Sequence, residues 1–67
     1  MAITRVAKVT ASSPKSWEDA LKVALERANK TIRNLTEVRV IEEKATIKNG
    51  KINEYVVTLE IDFVLEE

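Results

Sequence analysis

From Trp17 to Leu35 apolar residues recur at steps of three and four: Trp17, Ala20, Leu21, Ala24, Leu25, Ala28, Ile32 and Leu35. That spacing draws one stripe along a 3.6-residue period and predicts an amphipathic helix over roughly residues 14–33. The opposite face carries Lys15, Asp19, Lys22, Glu26 and Lys30, alternating charges one turn apart. Two starts compete. Ser13 with Pro14 suits a cap followed by a first helical residue, and Ser16 with Asp19 has the spacing of a capping box. On either side the period changes to two. Ala2–Thr10 alternates loosely and is rich in β-branched residues, which predicts a strand. After the helix, "TEVRVIEEKATIK" and "KINEYVVTLEIDFVLEE" flank Asn49-Gly50, a strong signal for a two-residue hairpin.

With that turn, Lys48 faces Lys51, Val40 faces Leu59 and Val38 faces Ile61, and these last four share the core face. Tyr55, Val57, Leu59, Ile61, Phe63 and Leu65 fall on one side of the closing strand; Val56, Thr58, Glu60, Asp62 and Val64 fall on the other. Nearer the turn the same register sets Glu42 against Val57, so a bulge is expected around Glu42–Lys44. The order strand, helix, strand, strand makes a small α+β unit, with residues 1–67 read as one domain. A helix of ~20 residues spans ~30 Å and a strand of ~14 residues ~46 Å, so one helix cannot cover the hairpin. The tip, with Ile47, Ile52, Tyr55 and Val56, then needs apolar cover from another copy.

Composition points the same way. A chain of 67 residues has a small core, and without Cys it has no disulfide to reinforce it. Without Cys or His it lacks the ligands zinc prefers. Oligomerisation is the remaining support. Eleven basic residues balance eleven acidic ones, which gives no electrostatic footprint for nucleic acid or an anionic membrane. No leader-like or membrane-spanning apolar run is found, and the expected location is cytoplasmic.

Candidate chemistry is sparse. There is no His or Cys to build a nucleophile–base pair, and Ser12, Ser13 and Ser16 read as turn and cap residues. Glu42 and Glu43 are adjacent in a strand and point to opposite faces, so they form no acid–base dyad. Gly50 is the only glycine and the turn uses it. No enzyme activity is expected. Trp17 reads as a helix-start residue packed on the sheet or on a neighbouring subunit. The outer hairpin face is more informative: Arg39 faces Glu60 favourably, but Glu37 faces Asp62, like against like. Water with Arg39, a lysine from another subunit, or a hard cation such as calcium at Glu37 and Asp62 would relieve that repulsion.

Three stretches, "ASSPKS" as the Thr/Ser turn, "ALKVALERA" in the helix and "EIDFVL" in the closing strand, together with the element order, resemble the dodecins over nearly the whole chain. The resemblance implies a three-stranded antiparallel sheet curled around one helix, and a hollow homododecamer. It also implies a non-enzymatic flavin-binding protein that stores FMN or riboflavin, or quenches their photochemistry. In such proteins a tryptophan early in the second strand stacks on the flavin and a glutamine of the third strand bonds to it. Here those positions are Glu37 and Val56, and Val38 and Arg39 would line the same site. An indole contributes ~1–3 kcal/mol by stacking on a planar ring, and a carboxylate contributes none. Near a two-fold axis Glu37 and Asp62 would meet their own mates, a cluster unfriendly to a phosphorylated flavin. The leading expectation is therefore a dodecin-like shell holding a small ligand without conventional flavin stacking. The alternatives are a flavin dodecin with a rearranged pocket, a calcium-binding relative, and a small enzyme or partner-binding module that shares the fold.

Overall fold

The computed structural model describes residues 3–65. Four elements follow one another: β1 (Ile3–Ser13), α1 (Trp17–Thr31), β2 (Leu35–Lys48) and β3 (Lys51–Leu65). The three strands form one antiparallel sheet in the order β1-β3-β2, so β3 is central and both other strands are edges. The β-α-β-β order and the antiparallel hairpin are those expected from the sequence. β1 runs on to Ser13, beyond the expected Thr10, because pairing with β3 continues through Ser13 opposite Tyr55. Ala2, Glu66 and Glu67, also assigned to strands from the sequence, lie outside the described residues.

The helix is shorter than the 14–33 its stripe predicts. Ser16 is the cap: it is extended, and its hydroxyl accepts from the Asp19 amide at 2.9 Å. Pro14 and Lys15 thus precede the helix. Asp19 does not complete a reciprocal box; its carboxylate accepts from the Ser13 hydroxyl at 2.6 Å, while Ser13 accepts from the Lys15 amide at 3.0 Å. Glu18 and Asp19 in the first turn and Lys30 in the last complement the helix dipole. At the other end Ile32 turns extended, and Asn34 adopts a left-handed φ of 62°, which Asn tolerates. Asn34 and Val64 then pair through the Val64 amide to Asn34 O, at 3.1 Å, and Asn34 Nδ2 to Val64 O, at 3.3 Å. This fastens the chain reversal onto β3.

Alanines Ala20, Ala24 and Ala28 let the helix lie close on the sheet, where Val57, Leu59 and Ile61 of β3 are almost wholly buried. Val9, Ala11, Trp17, Leu21, Leu25, Leu35 and Val38 surround them. The hairpin turns at Asn49 and Gly50, both with positive φ (53° and 74°), as the two-residue turn requires. Its register agrees with the sequence expectation from Glu37–Asp62 to Val40–Leu59 and again at Lys48–Lys51. The bulge falls earlier than expected, between Val40 and Glu42, and places Glu42 opposite Thr58 rather than Val57. Of the two further irregularities, one lies between Leu35 and Glu37, and the other, between Thr46 and Ile47, restores the register before the turn. Val40 departs from the core role expected of it and is 46% exposed, because it lies on an edge strand beside the bulge.

The subunit is long and thin, 52 × 19 × 13 Å, with a radius of gyration of 13.9 Å. A compact chain of this length would have a radius near 11 Å. Its accessible surface is 5169 Å², whereas a compact monomer of this mass exposes about 4,300 Å². Ile3, Val6, Val23, Ile41, Ile47 and Ile52 are each about half exposed or more. Among the described residues no helix is long and apolar enough to cross a membrane.

Candidate functional site

The outer face at the base of the hairpin gathers the residues singled out from the sequence. Three strands set them in two rows: Glu37, Asp62 and Val6 in one, and Arg39, Glu60 and Lys8 in the next. Arg39 does not simply face Glu60. Its guanidinium reaches diagonally to Asp62, with Nη1 to Oδ2 and Nη2 to Oδ1 both at 2.7 Å, a bidentate fork. Nε keeps Glu60 Oε1 at 3.5 Å. Asp62 is largely buried, its side chain 10% exposed, while that of Arg39 is 46% exposed. The paired guanidinium holds the Asp62 carboxyl below its ordinary value, and desolvation opposes this less strongly. Arg39 is correspondingly raised, chiefly by the same bond.

The Glu37–Asp62 opposition read from the sequence is therefore present, and Arg39 answers it on the Asp62 side only. Glu37 is exposed and has no hydrogen-bond or ion-pair partner among the described residues. It lines, with Leu25, Leu35, Thr36, Val38 and Ile61, a hollow of about 210 Å³ at the β2 edge. Val38 packs against the core, and Val56 lies buried between Ser12 and Lys44 on the neighbouring strands. No trio of acidic side chains among the described residues is close enough to hold a metal ion, and both Asp62 oxygens are already taken by Arg39.

Trp17 is the only tryptophan. Its Nε1 donates to the Lys44 carbonyl at 2.9 Å, and its ring meets Tyr55 edge-on at 4.8 Å. The indole thus satisfies a carbonyl on edge strand β2. A larger apolar groove, about 450 Å³, runs between β1 and the helix, with Val9, Val23, Ala24 and Ala28 in its walls and Arg27 among them. Sequence reasoning missed two features here. Lys8 beside Glu60 follows only from the β1–β3 register, which was not assigned. The burial of Asp62 had a signal, a lone aspartate amid the hydrophobic closing strand.

The subunit is a small β-α-β-β unit with a helix on one sheet face and long unpaired edges; of the tip residues expected to need cover, Ile47 and Ile52 are exposed, but Val56 is buried and Tyr55 packs on Trp17 within the subunit. The dodecin family model matches residues 3–66, and the chain belongs to the dodecin family. It is 40% identical to a dodecin of Thermus thermophilus over 60 residues, covering 90% of this chain and 87% of that one. It is 34% identical to a calcium dodecin of Mycobacterium tuberculosis over 64 residues, covering 94% and 89%. Among solved structures it is similar to a Thermus thermophilus dodecin variant, with a TM-score of 0.94 at 36% identity over 100% of both chains. It is also similar to the calcium-chelating Mycobacterium tuberculosis calcium dodecin, with a TM-score of 0.84 at 32% identity over 96% and 91%.

Proposed function

We propose that this chain assembles into a hollow dodecin-type homododecamer in the cytoplasm, which stores or sequesters a small ligand without catalysing a reaction. Flavin held by indole stacking is not that ligand. The observation that carries this reading is the state of the family's flavin positions. Glu37 stands where the stacking indole is expected, and Trp17 is engaged with Lys44 and Tyr55 at the start of the helix. Arg39 is held on Asp62 and Glu60, and Val56 offers no side-chain hydrogen bond where a glutamine is expected. Assembly is supported by the excess surface, the half-exposed isoleucines and the small core.

Calcium has separate support in the similarity to the Mycobacterium tuberculosis calcium dodecin. Of the two candidate ligands, though, Glu37 alone is free to ligate, and a cation at Asp62 would have to displace Arg39.

The test is a titration of riboflavin and FMN with protein that runs as a large assembly, read by quenching of flavin fluorescence. Flat traces are expected. Saturable quenching near one flavin per subunit would overturn the reading and mean that the pocket works without its indole. A parallel calcium titration by calorimetry, repeated with Glu37→Gln, separates the calcium reading. Heat that disappears in the variant would establish it.

A further inference from the structure

We propose that the hairpin turn is a self-modifying site, at which Asn49 loses ammonia to the Gly50 amide and becomes a carboxylate set between Lys48 and Lys51. The chain has four asparagines, Asn29, Asn34, Asn49 and Asn53. The reaction uses the peptide nitrogen of the following residue as nucleophile, so what holds that nitrogen decides which asparagine reacts. Asn29 lies inside α1, where the next amide belongs to the helical ladder. Asn34 is fastened to Val64 O through its own side-chain amide, at 3.3 Å. After Asn53 comes Glu54, whose amide donates to Thr46 Oγ1 at 3.1 Å. Asn49 alone is followed by a glycine, and among the described residues no hydrogen bond engages the Gly50 amide. In a two-residue turn the closing bonds run between the flanking residues, here Lys48 and Lys51, and leave that amide to solvent.

Access and charge agree with this. Lys48, Asn49, Gly50 and Lys51 are all exposed. A Cβ placed on Gly50 would meet nothing within 4 Å, so no neighbouring atom blocks the closing ring. Glycine also leaves the backbone free to rotate out of its positive φ of 74° into the geometry of attack. The step balances without a redox partner. Gly50 N gives up its proton and bonds to Asn49 Cγ, the Cγ–Nδ2 bond breaks, and ammonia departs to leave a succinimide ring. Water then opens the ring. Opening at Cγ gives aspartate; opening at the main-chain carbonyl gives isoaspartate, with an extra methylene in the backbone. Lys48 and Lys51 face each other across the turn and have no acidic partner among the described residues. Their charges favour the amide anion and the oxyanion at Cγ, and the product carboxylate relieves their mutual repulsion. The isoaspartyl form cannot keep a two-residue turn, so Lys48 no longer stands opposite Lys51.

The full chain, folded and held in mildly alkaline buffer, tests this by mass spectrometry. Ammonia release and the mass gain of exchanging an amide NH2 for OH are expected to accelerate with hydroxide concentration. Cleavage after glutamate yields the segment Lys44–Glu54, in which fragment spectra separate Asn49 from Asn53. The gain is expected at Asn49, as a mixture of aspartate and isoaspartate, with Asn29, Asn34 and Asn53 unchanged over the same time. Asn49→Ser is expected to abolish it, and Lys48→Gln with Lys51→Gln to slow it severalfold. Circular dichroism checks that each variant folds, and the wild-type map decides the site without them. Protein that keeps its mass, or that gains it first at Asn29, Asn34 or Asn53, overturns the inference. A rate unchanged without the lysines overturns the part assigned to their charges.

Discussion

Arg39 is the residue on which the outer face turns. A guanidinium that forks onto a nearly buried carboxylate satisfies a charge that would otherwise be costly to remove from water. The pH dependence follows from the direction of the shift. Asp62 is held below 3.8, its ordinary value, so its contribution to stability is complete above that value and is lost as pH falls through the lower folded-state value. In Arg39→Met the carboxyl loses its partner while keeping its burial. We expect the variant to melt well below the wild type at pH 7, and the gap to close as pH falls into the acid range below 3.8. Melting curves from pH 7 to the acid limit check this. A gap that stays constant would mean that the loss does not come from the ionised pair.

At the scale of elements, the helix start is decided by one hydroxyl. Ser16 caps, and Ser13 holds the approach through Asp19. Ser16→Ala should cost about 1 kcal/mol, measured by denaturant unfolding, as loss of an N-cap usually does. The elements themselves were legible because their causes are local: a stripe at helical period, a two-residue Asn-Gly turn, and alternation in β3. The register near Val38 and Val40 was legible because only one pairing puts those valines opposite Ile61 and Leu59. The bulge was expected too far along the strand, since nothing in the order of Val40, Ile41 and Glu42 says which residue will stand out of the ladder. The Arg39 fork was not legible either. Opposition can be read from register, but a diagonal reach to Asp62 depends on sheet twist and side-chain length. That Glu37 stands at the stacking position is an expectation from the family resemblance alone, whereas the unpaired state of Glu37 required all three strands.

At the scale of the whole molecule, a chain 52 Å long and 13 Å thick cannot enclose its own apolar residues. Ile3, Val6, Val23, Ile47 and Ile52 are spread over both ends and both layers, so a single dimer contact would leave several uncovered. Stability should therefore depend on association. We expect the melting temperature to rise with protein concentration, and Ile47→Asp with Ile52→Asp to lower it and remove that dependence. Scanning calorimetry over a hundredfold concentration range measures both.

The strand order has a consequence for how the chain is made. β3 lies at the centre, yet it is the last strand in the sequence, and β1, the first, pairs with it from Ile3 opposite Leu65 to Ser13 opposite Tyr55. During synthesis the helix can form early, but β1 has nothing to pair with until β3 has emerged. The hairpin must close first and β1 must then cross almost the full length of the chain, a slow kind of contact to make. Until that moment an apolar edge strand is exposed on the nascent chain, and copies growing side by side on one message would meet in that state.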